Sequence, residues 1–270
     1  MTVPGLAIGY RAFRLPRQGY RLEECQDASA GNAERGRFAL ADGAAESPYS
    51  ALWAHLLVEE FVRQKERLPH WASWLPSLQE RWAAHVTLHG RWNDPMSHGN
   101  ADAWLVQPEA SDLPWYLEPG LIQGAFATFL GLVIEDNSWH ALAVGDSCLF
   151  QVRQGEMVGA FPVTSAADFS NAPWLVGSRT SPGEVPHKNG VQQTGVWQTR
   201  DRFWMMTDAL AQWFLLQAES GGKPWLALEP LLHTAGDDDV AQQAFASWIE
   251  GLRNARQLRN DDVTLLAISL

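Results

Sequence analysis

The sequence predicts an α+β fold in which antiparallel sheets pack together under a cover of helices. Two observations carry this. Short apolar runs at 127–134, 139–144, 148–153 and 157–161 are punctuated by the turn pairs Asp136-Asn137, Gly145-Asp146 and Gln154-Gly155, the pattern of a strand meander. Segments with helical spacing lie before and after that meander rather than alternating with single strands. Strands joined by tight turns pair antiparallel, so the sheets are not of the parallel, doubly wound kind.

The elements follow in order. Residues 6–13 read as a first strand. The run 37–41 (RFALA) closes on Asp42-Gly43, so a second strand ends there. Ser47 and Pro48 then have the form of an N-cap and a first helical residue. Leu52, Trp53, Leu56, Leu57 and Phe61 give the helix that follows one apolar face, suited to lie on a sheet. A second amphipathic helix covers 71–88, and the Pro-, Gly-, Asn- and Asp-rich stretch 90–120 reads as an irregular connection. After the meander, 164–195 is polar and turn-rich, a surface excursion, and 196–207 resumes as a strand ending at Asp208. Helical patterns cover 209–218, 225–233 and 240–254. The run 263–270 (VTLLAISL) is a terminal strand preceded by Asn260-Asp261-Asp262. The chain has no internal repeat, and 270 residues at 46% hydrophobic content suit a single domain spanning 1–270.

Composition excludes several classes of function. The formal net charge is −11, which argues against nucleic acid or anionic membrane as a partner, because both call for basic patches. No apolar run reaches the roughly 18 residues of a membrane span. The first residues lack the basic and apolar regions of a secretory signal, and two cysteines, Cys25 and Cys148, make no disulfide framework. A soluble cytoplasmic protein is expected. The pair His85 and His89 is spaced i,i+4 without the glutamate of a zinc-protease motif, and reads as a helix face. Nucleophile-elbow, phosphate-loop and dinucleotide signatures do not occur.

The informative feature is where the acids fall. Asp42 follows RFALA, Asp146 follows ALAVG, Asp208 follows FWMMT, and Asp261 and Asp262 precede VTLLAISL. Any one of them could be a turn or cap residue. Several together, each at the end of an apolar strand, would be costly beside a core unless a cation or hydrogen bonds compensate them. Shared oxygen ligands of this kind select hard cations such as Mg²⁺ or Mn²⁺.

Four stretches in order then resemble the type 2C, or PPM, metal-dependent serine/threonine protein phosphatases. They are RLEECQD (21–27), FALADGAAES (38–47), the hairpin 126–147 ending in AVGDS, and the late pair MMTDA (205–209) with NDDVTLL (260–266). The tail of the second stretch is closer to a divergent bacterial branch. The resemblance implies an α-β-β-α sandwich of two antiparallel sheets flanked by helices, with two Mg²⁺ or Mn²⁺ ions at one edge. It implies that Asp42 bridges both ions, that the Gly43 carbonyl adds a ligand, and that Asp208 and Asp261 hold one ion, with Asp262 the alternative to Asp261. Asp27 sits beside the pair as a direct or water-mediated metal ligand, and Arg21 grips the substrate phosphate. Asp42 and Asp208 are thereby the residues on which catalysis depends. Asp146 is assigned to shaping the hairpin. The implied partner is a phosphorylated protein, with a cognate serine/threonine kinase as counterpart.

The chain also departs from the family pattern. Gln26 stands where an acid is usual, Ala209 replaces a glycine, Cys148 replaces an arginine, Phe126 replaces a glycine, and Gln123 falls near the place of an acid that can hold a third ion. Arg21 is one residue farther from Asp27 than usual. These departures set the alternative reading, a weak or inactive pseudophosphatase kept as a binding or regulatory module. The four aspartates 27, 42, 208 and 261 favour the enzyme, since buried acids without a cation cost stability.

Overall fold

The computed structural model describes residues 8–45, 47, 49–65, 67–89, 124–170, 172–179, 190–233 and 238–270. In chain order the strands are β1 (Gly9–Leu15), β2 (Ala28–Asn32), β3 (Arg37–Ala41), β4 (Phe126–Ala127), β5 (Phe129–Glu135), β6 (Ser138–Val144), β7 (Cys148–Arg153), β8 (Glu156–Phe161), β9 (Val176–Gly177), β10 (Val191–Val196), β11 (Arg202–Met206) and β12 (Val263–Ser269). The helices are α1 (Ser50–Arg63), α2 (Trp71–His89), α3 (Asp208–Glu219), α4 (Trp225–His233) and α5 (Asp238–Asn254). One five-stranded sheet has the order β1-β12-β11-β7-β8 and the other β10-β6-β5-β3-β2; β4 and β9 form a separate pair. Every strand pairing is antiparallel.

Period-two alternation explains the layers. Successive side chains on a strand point to opposite faces, and in the central strands β3, β5, β11 and β12 both faces are covered, so these read as nearly continuous apolar runs. Phe38 and Leu40 of β3, Leu130 and Leu132 of β5, Phe203 and Met205 of β11 and Leu266 and Ile268 of β12 meet in one core between the sheets. The alternate residues face the helices. Ala39, Ala41, Phe129 and Val133 pack with Trp53, Leu57 and Phe61 of α1 and Leu78 and Trp82 of α2. Trp204, Met206, Val263 and Leu265 pack with Phe214 of α3, Leu228 of α4 and Phe245 and Ile249 of α5. Helix, sheet, sheet and helix thus stack over three apolar layers, the α+β sandwich expected from the sequence.

Four boundaries differ from the expectation. Ser47 does not cap α1: its N–H donates to the Ala44 carbonyl at 3.0 Å, closing a turn, and the helix starts at Ser50 after Tyr49, which adopts φ 59° and ψ 27°. The stretch 127–134 is not one strand. Thr128 donates its N–H to the Asp42 carbonyl at 2.8 Å, which separates β4, paired with β9, from β5, paired with β3. The stretch 196–207 is not one strand either, because β10 belongs to one sheet and β11 to the other, and a turn closed by Asp201 N–H on the Gln198 carbonyl lies between them. The excursion 164–195 contains most of β10, an edge strand whose VQQTGV sequence is largely exposed and so lacks apolar alternation. The connection 90–120, Gln123, Pro48 and the first residues of the 6–13 strand lie outside the described residues.

Candidate metal centre

Strand register gathers the acids. Ala28 pairs with Ala41, which sets Asp27, just before β2, beside Asp42, just after β3. Leu40 pairs with Leu130 and Phe129 with Val144, which brings the Gly145-Asp146 turn to the same end. In the facing sheet, Cys148 pairs with Met206 and Met206 with Leu265, so Asp208, Asp261 and Asp262 reach the corresponding end there. The hairpin from β6 to β7 passes from one sheet to the other through Asp146 and Ser147, so both sheets contribute to one edge.

Hydroxyl groups hold this edge together. The Asp42 N–H donates to Thr128 Oγ1 at 3.1 Å, and Thr128 Oγ1 lies 2.9 Å from Ser147 Oγ. Thr207 donates its hydroxyl to Asp27 Oδ2 at 3.1 Å and accepts from the Thr264 N–H at 2.9 Å. It stands before the first residue of α3, yet its side chain makes no capping bond to that helix; the hydroxyl is spent on the acid instead. Asp262 accepts from the N–H groups of Arg17 and Gln26, both at 2.8 Å, and ties the N-terminal segment to β12. Gly43 N–H donates to the Gln26 carbonyl at 3.2 Å, and a Cβ at Gly43 would stand 2.7 Å from that oxygen, so only glycine permits this approach. Gly145 has φ +97°, and a Cβ there would meet Thr128 Cγ2 at 2.7 Å.

The acids act on one another. Burial first, and then Asp27, Asp261, Asp146 and Asp262, push the Asp42 carboxyl well above the ordinary carboxylate range. Burial and then Asp262 push Asp27 up to about 7, and burial pushes Asp146 up to about 6. Asp27 is fully buried and its Oδ1 has no hydrogen-bond partner; both oxygens of Asp146 are buried in the same condition. Asp208 differs. Its Oδ1 accepts from the Ala209 N–H at 2.5 Å, and its Oδ2 is ion-paired with Arg259 Nη2. Arg259 Nε also lies 3.4 Å from Asp261 Oδ2.

The structure therefore brings Asp27, Asp42, Gly43, Asp146, Asp261 and Asp262 to one edge and links Asp208 to Asp261 through Arg259. Sequence reasoning gave Asp146 to the hairpin alone, whereas its charge is felt by Asp42. Arg21 stands on an exposed 3-10 turn (Leu22–Glu24) beside Glu23 and Glu24, and among the described residues no ion pair joins it to the aspartates. Three contributors were missed: Thr128, Thr207 and Arg259. A threonine directly before Asp208 was the one local signal. The donor set suits a hard cation, since it is all oxygen and includes buried carboxylate oxygens without partners. As they stand, among the described residues, no three acids, imidazoles or thiols converge closely enough to ligate one ion.

Comparison with known proteins gives the family and the fold. The family model for protein phosphatase 2C matches residues 20–250. No curated protein matches the sequence. Among solved structures, the serine/threonine phosphatase PstP/Ppp of Mycobacterium tuberculosis superimposes with a TM-score of 0.56 at 14% identity, covering 98% of this chain and 99% of that one. The phosphatase Stp1 of Staphylococcus aureus gives 0.55 at 13% identity, covering 100% of this chain and 97% of its own. The catalytic domain of PstP in complex with two manganese ions gives 0.54 at 14%, with 97% of each chain covered. At such identities the superpositions speak for the fold.

Proposed function

Because the chain belongs to the protein phosphatase 2C family, and so to the serine/threonine protein phosphatases, we propose that it hydrolyses phosphoserine and phosphothreonine esters of proteins with two Mg²⁺ or Mn²⁺ ions at the acidic edge. Asp42, the Gly43 carbonyl, Asp208 and Asp261 would hold the ions, and Asp27 would stand beside them. When bound, such ions supply an activated water and positive charge against the phosphoryl oxygens. The observation that carries the reading is the fully buried Asp27 with one carboxylate oxygen lacking a partner, beside Asp42, on which four other acids bear. Buried carboxylates in mutual repulsion are stable only with a proton or a cation between them.

The chain's own residues do the positioning. Thr128 and Ser147 fix the backbone at Asp42, and Thr207 orients Asp27. Gly43 lets the Asp27 and Asp42 segments close to hydrogen-bond distance. Arg21, on the exposed turn before β2, is the cation proposed to meet the substrate phosphate. The all-oxygen donor set matches hard cations such as Mg²⁺ and Mn²⁺ rather than a thiolate- or imidazole-bound copper or zinc. The proposal extends to a phosphorylated protein substrate, a serine/threonine kinase as its source, and the cytoplasm as its place; among the described residues no helix is long and apolar enough to cross a membrane.

Hydrolysis of an aryl phosphate and of a phosphothreonine peptide, with Mn²⁺ and with EDTA, tests this. Turnover is expected with Mn²⁺ only, and Asp42→Asn and Asp208→Asn should reduce it to background while far-ultraviolet dichroism stays unchanged. Full turnover in Asp42→Asn would remove the central residue of the proposal. No turnover in the wild-type chain with Mn²⁺ bound would leave the fold as a binding module.

A further inference from the structure

Arg259 divides the acidic edge into two unlike halves. On one side, Asp27 is held through one oxygen by Thr207 and keeps the other buried and without a partner. On the other, every carboxylate oxygen is already engaged. Asp208 Oδ1 accepts from the Ala209 N–H and its Oδ2 from Arg259; Asp261 Oδ1 accepts from the Asp262 N–H at 3.0 Å, and its Oδ2 faces Arg259 Nε at 3.4 Å. The guanidinium spans both acids with two different nitrogens, a fork geometry that an ammonium cannot reproduce. Its side chain is 36% exposed, so it can leave toward solvent without disturbing a core. Arg259 lies beyond residue 250, where the family match ends.

We propose that Arg259 is a tethered counter-cation, which occupies the Asp208–Asp261 end of the acidic edge and must be displaced before a divalent ion binds there. The inference rests on the metal-dependent reading above. Displacement costs the two ion pairs, and a guanidinium that stays nearby repels an arriving dication. The two ion sites are therefore unequal: the one toward Asp27 and Asp42 fills first, and the one at Asp208 and Asp261 is weakened by the chain itself. The protein in turn does not need metal to keep its Asp208 side compensated.

Titration of the chelator-stripped full chain with Mn²⁺, followed by calorimetry and by electron paramagnetic resonance, tests this on wild type, Arg259→Gln and Arg259→Lys. In Arg259→Gln the weaker Mn²⁺ step should tighten by about tenfold, the scale of two partly exposed ion pairs, while the stronger step moves less than about twofold. Arg259→Lys keeps the charge and should stay closer to wild type. In EDTA, Arg259→Gln should melt lower than wild type, and with saturating Mn²⁺ the order should reverse. A lower melt in EDTA with both Mn²⁺ affinities unchanged would make Arg259 a purely structural ion pair and overturn the proposal. Mn²⁺ binding to none of the three proteins would overturn the metal reading itself, and the proposal with it.

Discussion

Asp27 shows most directly what a single residue does at this edge. It is fully buried, one of its oxygens is held by Thr207, and the other has no partner. Burial and the neighbouring Asp262 raise its pKa to about 7. A carboxyl whose folded pKa lies above its unfolded value is destabilising once ionised, so its penalty is complete above about pH 7 and is relieved as the pH falls. Asp27→Asn keeps the shape and the bond from Thr207 and removes the charge. At pH 8 in EDTA it should therefore melt higher than wild type by roughly 3 °C, the scale of 1 kcal/mol in a chain of this size. In Mn²⁺ the order should invert, because only the wild type has a carboxylate to offer. Thermal melts of both proteins in the two buffers check this, and a variant that melts lower in EDTA would show that the buried charge is compensated by the protein alone. That Asp27 belongs with the acids was legible only through the RLEECQD stretch, because the strand that follows it, ASAGN, is no apolar run and was not read as a strand. That a threonine 180 residues away supplies its hydrogen bond was not legible, because the pairing is made only when the two sheets meet.

At the scale of elements, the contrast is Asp201, in the turn between β10 and β11. It too is buried, at 1% exposure, but every oxygen is satisfied: Arg153 of β7 donates to Oδ1 at 2.9 Å and to Oδ2 at 2.7 Å, with Gln151 and the Gln198 N–H completing Oδ2. Burial would raise its pKa, yet the Arg153 fork and these donors outweigh burial and hold it below the ordinary range. Such a group contributes stability above its unfolded pKa of about 3.9 and loses it as the pH falls through the lower folded value. Asp201→Asn should cost roughly 2–3 kcal/mol at pH 7, since it leaves Arg153 without its counter-charge, and the gap to wild type should close below about pH 4. Urea unfolding at pH 7 and pH 3 measures it; a gap independent of pH would place the loss in packing rather than charge. This turn is also where sequence reading joined two strands into one. The run 196–207 carries apolar residues on both sides of the turn, and nothing local says that the first part pairs in one sheet and the second in the other. Strand β12, by contrast, was legible almost to the residue, because a strand covered on both faces is apolar throughout. The start of α1 misled for a related reason: Ser47-Pro48 has the chemistry of a cap, but the Ala44–Ser47 turn claims the serine first.

For the whole molecule, the three apolar layers set the positions of the acids without regard to their repulsion. The sandwich is built by Phe, Leu, Met and Trp side chains away from the edge, so it forms with the carboxylates wherever the register leaves them. A cation that binds this edge in the folded chain and not in the unfolded one must then stabilise the fold by mass action, about 2.7 kcal/mol at a hundred times its dissociation constant. For a chain of this size that is a rise in melting temperature of roughly 5–10 °C. The net charge of −11 offers a competing explanation, since any cation screens a surplus of negative charge. The two separate cleanly. General screening responds to ionic strength, so NaCl matched to the manganese buffer would reproduce the gain, and a single substitution among 31 acidic residues would barely alter it. Binding at the edge behaves in the opposite way: millimolar Mn²⁺ should raise the melt well above matched NaCl, and Asp42→Asn should remove most of that increment while lowering the negative charge by only one. Mn²⁺ should also exceed Mg²⁺ at equal concentration. Gln26, where an acid is usual, offers a neutral side chain beside Asp27, and Mg²⁺ is the ion that tolerates incomplete octahedral ligation least. Equal melts in Mn²⁺, Mg²⁺ and matched NaCl would assign the effect to screening and leave the acidic edge without a bound ion.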